Sequence, residues 1–171
     1  MPPPPTIRDA TAEDLGTILE LNNLLIPVDS TAWTERLETI DERQAWFAHK
    51  QADGWPVLVA ETEGRVVGFC TYGEFRENRR WEGYRFTAEL TIHVDPSCHG
   101  AGVGRSLMEA LVERARADGL HTLVAAVDGA NAGSIRFHER LGFVETARMP
   151  EIGFKFGRWL DLVLLQRAVD P

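Results

Sequence analysis

Cysteine is scarce in this chain: Cys70 and Cys98 are the only two in 171 residues. Neither stands at a metal-ligand spacing from a second Cys or His, which argues against a zinc module or a disulfide framework and for free thiols in a reducing compartment. The five histidines are scattered, and no metal is expected. Long hydrophobic runs are missing as well. With no apolar stretch long enough to span a bilayer and no charged-then-apolar opening segment, the sequence predicts a cytoplasmic protein with no membrane partner. Positive charge is in short supply: a net charge of -8 provides no general basic face for the phosphates of a nucleic acid. It does not exclude a small anionic ligand, which backbone amides and a few arginines can hold. What is present is ordinary for a globular protein, 44% hydrophobic and 26% charged residues. The length suits one domain over 6–171 after a disordered, proline-rich tail at 1–5, burying roughly two-thirds of the surface of the unfolded chain.

The most informative stretch runs from Glu89 to Glu109, where an apolar strand (Leu90 to Val94) leads through a glycine-rich turn into a helix. Gly100, Gly102 and Gly104 lie at alternate positions just before the periodic apolar residues Leu107, Met108, Leu111 and Val112. The first amides of a helix lack intrahelical acceptors and carry the positive end of its dipole, so such a turn can hold phosphate oxygens without a cationic side chain. Glycine lets the ligand approach closely. Two familiar phosphate loops are excluded. A P-loop needs Gly-Lys-Ser/Thr, and here Gly104 is followed by Arg105 and Ser106. The dinucleotide fingerprint needs G-x-G-x-x-G, which this spacing does not give. Taken alone, the loop fits a cofactor cradle and a plain connector equally.

Along the rest of the chain, 6–10 reads as a strand and about 12–25 as a helix after the capping signal Thr11 to Asp14. Thr39 to Glu42 repeats the device before a second helix closed by Gly54. The polar connection from Pro27 to Glu38, with Trp33, reads as a surface loop, a substrate lid being the alternative. Residues 56–61 and 65–69 flank a Thr62-Glu63-Gly64 turn, a hairpin signature. The strand from Val66 to Phe75 runs into an arginine-dense stretch, Arg76 to Trp81, which by itself reads as a solvated turn. Leu120 to Val127 is a strand, Ala132 to Leu141 a short helix and Leu160 to Arg167 a last strand. Lys155 to Trp159 reads as a basic, aromatic turn. The sum is an α/β (α+β) fold with a mixed, mostly antiparallel sheet flanked by helices.

Downstream of the loop the chain reads Val127-Asp128-Gly129-Ala130-Asn131-Ala132-Gly133-Ser134, then Phe137-His138-Glu139-Arg140-Leu141-Gly142-Phe143. A glycine loop on a strand-to-helix turn, followed by Asn-x-x-Ser-x-x-x-His-x-x-x-Gly-Phe, resembles the GCN5-related N-acetyltransferase (GNAT) superfamily. Tyr84 to Glu89, Phe137 to Phe143 and Lys155 to Asp161 are similar to its phosphinothricin and methionine sulfoximine acetyltransferase branch. The likeness runs from about Ile7 to Arg167.

The resemblance implies a twisted GNAT sheet whose two central strands splay apart around the cofactor's pantetheine arm. It also implies acetyl-CoA as co-substrate, a small amino acid-like amine as acceptor, and a homodimer. Transfer from a thioester to an amine needs a neutral amine, a stabilised oxyanion and a proton for the thiolate. The resemblance places Glu89 at the base and His138 where the superfamily commonly has a proton-donating tyrosine; acid and base roles stay open between them. It assigns Ile92, His93, Val94, His99, Gly100, Ala101, Gly102, Val103, Gly104, Arg105, Asn131 and Ser134 to acetyl-CoA, with His93 acting through its backbone. Phe75, Arg76, Arg85, Leu90 and Thr91 face the acceptor. Asn131 is also a ready N-cap for its own helix.

Two departures stand out. His99 replaces the usual Gln or Arg at the head of the loop. If its ring pairs with pyrophosphate, cofactor affinity falls as the ring deprotonates. The segment beginning at Arg76 is longer than the branch's pattern, which leaves room for a different acceptor, including a protein N-terminus. A non-catalytic acyl-CoA sensor is the alternative from another class.

Overall fold

A computed structural model of the chain describes residues 4–169. Most of the expected tail at 1–5 lies outside the described residues; residues 4 and 5 precede the first strand without regular structure. Seven strands form one sheet: β1 (Thr6–Asp9), β2 (Val57–Thr62), β3 (Arg65–Glu74), β4 (Thr87–Val94), β5 (Thr122–Asp128), β6 (Val144–Lys155) and β7 (Arg158–Ala168). Their order is β1-β2-β3-β4-β5-β7-β6. All neighbours are antiparallel except β4 and β5, which are parallel. Four helices cover the faces: α1 (Leu15–Leu24), α2 (Ile40–Ala52), α3 (Val103–Ala117) and α4 (Ala132–Arg140).

The layering follows from strand alternation, since neighbouring residues point to opposite faces. Leu58 and Ala60 of β2 join Cys70, Tyr72 and Leu90 beneath the apolar stripe of α3, Leu107, Met108, Leu111, Val112 and Ala115. Val57, Val59 and Phe69 turn the other way, onto Leu15, Ile18 and Leu21 of α1 and Phe47 of α2. β2 and β3 are therefore buried on both sides and read as continuous apolar runs. Their turn needs positive φ at Glu63 (50°) and Gly64 (74°), the geometry that matches strand twist in a two-residue hairpin. Both cysteines are free.

α2 begins with the expected capping box, Thr39 Oγ1 accepting from Glu42 N and Glu42 accepting in return from Thr39 N. The first helix starts later than the pattern suggested: Ala12–Asp14 is a 3-10 turn and α1 opens at Leu15. Asp14 there is 7% exposed and accepts two hydrogen bonds from the Arg8 guanidinium, at 2.8 and 2.9 Å, and one from Thr11 N at 2.7 Å. Arg8 chiefly, with Thr11, holds its carboxyl down at about 2, below the ordinary 3.8. The unfolded chain thus binds this proton more readily, and the pairing stabilises the fold above pH 3.8 and is lost as pH falls through about 2. Asp14→Asn is expected to cost about 2 kcal/mol at pH 7. Urea unfolding should show the gap to wild type closing toward pH 2.

β6 was not foreseen. Its burial is mostly exposed along its length, so it shows no period-two alternation. It also bends at Pro150 and Glu151, where φ is 53° and the register with β7 shifts between Met149 and Gly153. The expected turn at Lys155 to Trp159 shrinks to Phe156 (φ 52°) and Gly157 (φ 72°), with strand on either side.

β4 and β5 pair only from Thr87↔Thr122 to Leu90↔Ala125. Beyond that β4 continues to Val94 and β5 to Asp128, each still paired on its outer edge, with β3 up to Gly68↔Val94 and with β7 up to Asp128↔Leu162. The opening is a split inside the sheet, where backbone polar groups of both strands are left for a ligand to satisfy.

Candidate active site

A cavity of about 580 Å³ fills this split. β4 supplies Glu89 to His93, β5 supplies Ala125 to Asp128, and α4 adds Asn131, Ser134 and His138. Phe75 and Arg76 close it from the end of β3, and Thr31 and Trp33 from the 27–38 loop.

Glu89, Thr91 and His93 share one face of β4, opposite Gly73, Thr71 and Phe69 of β3. The Glu89 carboxyl opens onto the cavity, yet the protein around it removes enough water to raise its pKa above the ordinary carboxylate value. His93 stacks on Phe69 with centroids 5.2 Å apart and planes 11° from parallel. Burial, helped by nearby Arg43 and opposed by Asp29, lowers its pKa to about 4, so the ring is neutral. Its side chain, beyond the backbone contact expected of it, forms cavity wall.

His138 is 3% exposed and packs edge-on against Phe137 and Phe143. Its Nδ1–H donates to the carbonyl of Ser134, one turn back, at 2.8 Å. That bond fixes the tautomer and leaves Nε2 as a lone pair. Nε2 is buried and has no hydrogen-bond partner among the described residues. Burial lowers the pKa of the ring against the opposing effect of Ser134. A neutral imidazole of this tautomer accepts a proton at Nε2 before it can give one. Asn131 caps α4, its Oδ1 accepting from Ser134 N at 3.0 Å, and borders the cavity at the same time.

The glycine loop lies past the end of β4, outside the cavity lining. Asp95 accepts from Ser97 N at 2.9 Å and starts a 3-10 turn, Pro96–Cys98. Gly100 and Gly102 then take φ of 81° and 85°, and a side chain at either would meet open space. Their conformation, more than crowding, calls for glycine. α3 follows, with Val103 anchored in the core at 2% exposure and Ser106 N bonding back to Gly102 O. The amides of Val103, Gly104 and Arg105 precede that bond and form the open first turn. Gly104 serves packing: a Cβ there would lie 3.0 Å from the Phe137 ring. Its glycine seats α4, and with it His138, against α3. The His99 ring turns back to donate from Nε2 to Val94 O at 3.2 Å, so a ring–pyrophosphate pair has no support in this geometry. Arg105 pairs with Glu109 on the surface.

The cavity thus brings together Glu89, His138, Ile92, His93, Asn131 and Ser134 with Phe75, Arg76, Leu90 and Thr91. Val94 and His99 to Arg105 continue from its floor strand. Arg85 does not line it: its guanidinium donates to Glu82 O at 3.0 Å and lies over Phe86. Sequence reasoning missed Asp128, and placed the loop that carries Thr31 and Trp33 at the site only as the alternative to a surface loop. Asp128, 5% exposed, accepts from Ala130 N and the Ser30 hydroxyl. A carboxylate ending an apolar strand just before Gly129 was the available signal. Among the described residues no group of three or more His, Cys, Asp or Glu could hold a metal ion. Nor, among the described residues, is any helix long and apolar enough to cross a membrane.

The profile of the acetyltransferase (GNAT) family matches residues 18–143. The L-methionine sulfoximine/L-methionine sulfone acetyltransferase of Pseudomonas aeruginosa is 44% identical over 167 residues, 97% of this chain and 95% of that protein. The phosphinothricin N-acetyltransferase of Alcaligenes faecalis is 32% identical over 166 residues, 96% of this chain and 83% of that protein. A solved acetyltransferase structure from Salmonella typhimurium, with its cofactor acetyl-CoA, superposes with a TM-score of 0.92 at 41% identity, covering 98% of this chain and 95% of that one.

Proposed function

Because the chain belongs to the acetyltransferase (GNAT) family, we propose that it moves the acetyl group of acetyl-CoA onto the primary amine of a small amino acid-like acceptor. Methionine sulfone, methionine sulfoximine and phosphinothricin are the candidates, from the names of the relatives. The observation that carries this is a cavity in the β4/β5 split, lined by a carboxyl of raised pKa and by a histidine whose buried Nε2 has no partner among the described residues.

The acceptor arrives as an ammonium, and Glu89, directly or through water, takes its first proton. The freed nitrogen attacks the thioester carbonyl carbon, and the C–S bond breaks as the tetrahedral adduct collapses. His138 Nε2 takes the second proton from the attacking nitrogen and returns it to the departing sulfur. The products are the amide and the free thiol, with one proton left on Glu89 for solvent. This cycle uses a histidine that accepts first, as the Nδ1–H bond to Ser134 requires. The open first turn of α3 and the αL glycines before it suit the phosphates of the co-substrate, while Ile92, His93 and Val94 present strand edge to its pantetheine arm. Arg76 suits the acceptor's carboxylate.

One acetyltransferase unit spans 6–171, in a cytoplasmic homodimer. The exposed apolar side chains of the β6–β7 hairpin, Ile152, Phe154 and Trp159 among them, favour a second copy as partner. The test is thiol release from acetyl-CoA across the three candidates, free amino acids, polyamines and short peptides. Turnover is expected with at least one of the first three. Turnover confined to peptides or polyamines would overturn the acceptor class.

A further inference from the structure

The 27–38 loop, which lines the cavity with Thr31 and Trp33, is tied to a distant part of the chain. Lys155, in β6, is 1% exposed. Its ammonium donates to the carbonyls of Asp29 and Ala32, at 2.5 and 2.7 Å, and lies 4.6 Å from the centroid of the Phe156 ring. A buried ammonium is costly unless its donors are met, so this side chain is settled only when the loop wraps it. Phe156 N donates to Glu35 at 3.0 Å, and Arg158 to the Ser30 hydroxyl at 3.3 Å. Between these ties sits Trp33. A Cβ built on Gly153 would lie 2.3 and 2.4 Å from Cε3 and Cζ3 of the Trp33 ring. Gly153 is not among the positive-φ glycines, so its backbone would accept another residue. The missing side chain is what the indole occupies.

We propose that Trp33, seated on Gly153 and fastened by Lys155, is the wall that sets the size of the acceptor side chain. Lys155 and Gly153 are positioning residues that act through it. The proposal rests on the reading of the cavity as an acceptor site. Trp33→Ala removes the wall and shifts kcat/KM toward acceptors bulkier than methionine sulfone by at least tenfold. Gly153→Ala pushes the indole off its seat and lowers kcat/KM for methionine sulfone by about tenfold. The loss falls on the acceptor KM and leaves the KM of acetyl-CoA unchanged.

The experiment is a double-mutant cycle on the two residues, with acrylamide quenching of the Trp33 fluorescence, taken as the difference between wild type and Trp33→Phe. The Gly153→Ala loss is expected to vanish in the Trp33→Ala background, and Trp33 quenching to rise at least twofold in both Gly153→Ala and Lys155→Met. An equal Gly153→Ala loss with and without Trp33, an acceptor ratio unmoved by Trp33→Ala, or unchanged quenching overturns the proposal. Failure of the wild type to acetylate any amino acid acceptor counts against the acceptor reading instead. Quenching, which needs no turnover, then decides the seat alone.

Discussion

Glu89→Gln lowers kcat with the preferred acceptor by about two orders of magnitude or more, the usual worth of a positioned general base. Glutamine keeps the shape and polarity of the side chain and removes only its basicity. Binding of acetyl-CoA should therefore persist, and a thermal shift with acetyl-CoA should be the same in both proteins. The size of the effect follows from the surroundings of Glu89. A carboxylate in bulk water is a poor partner for an ammonium proton, and burial here raises its pKa and so its strength as a base. A protein that only sensed acyl-CoA would lose nothing measurable from this substitution.

His138→Leu is the second large effect, about a hundredfold in kcat. Leucine fills the space between Phe137 and Phe143 and removes both ring nitrogens. The buried ring makes one hydrogen bond, to the Ser134 carbonyl, and that acceptor is left to water or to the α4 ladder, so the folding cost is about 1 kcal/mol. Rate and stability thus separate: a steep fall in kcat should accompany a melting temperature only a few degrees lower. If His138 merely packed the core, kcat would follow the small stability change and stay within a few-fold of wild type.

The parts of the site that were legible in the sequence are those whose geometry is local. The capping of α4 by Asn131 and the tight glycine turn before α3 depend on neighbours a few positions apart, whereas the tautomer of His138, set by Ser134, appears only in the folded helix. Glu89 and His138 were reached through resemblance, since position alone reads as a strand-end carboxylate and a core-edge histidine; Glu89 in fact sits inside β4, facing the cavity. The rest depends on contacts far apart in sequence. Lys155 and Asp29 are 126 positions apart, and no pattern within 27–38 signals that this loop is clamped into a wall. β6 escaped for a different reason: an exposed edge strand with a bend at Glu151 lacks the alternation that reveals buried ones. Gly104 was read with Gly100 and Gly102 as one phosphate device, because crowding by Phe137 is visible only once α3 and α4 are packed.

The pH profile of kcat/KM for the preferred acceptor, in wild type and in Glu89→Gln, tests the chemistry most directly. Glu89 works deprotonated, so activity is lost as pH falls through its pKa. Because burial raises that pKa, the acidic limb of the wild type should lie above the ordinary 4.5 of a glutamate. His138 must also be unprotonated to take its proton, so wild type should show an acidic limb steeper than one ionisation, and the residual activity of Glu89→Gln should lose the Glu89 ionisation and keep only that of His138. The same limb in both proteins would place the base elsewhere and contradict it.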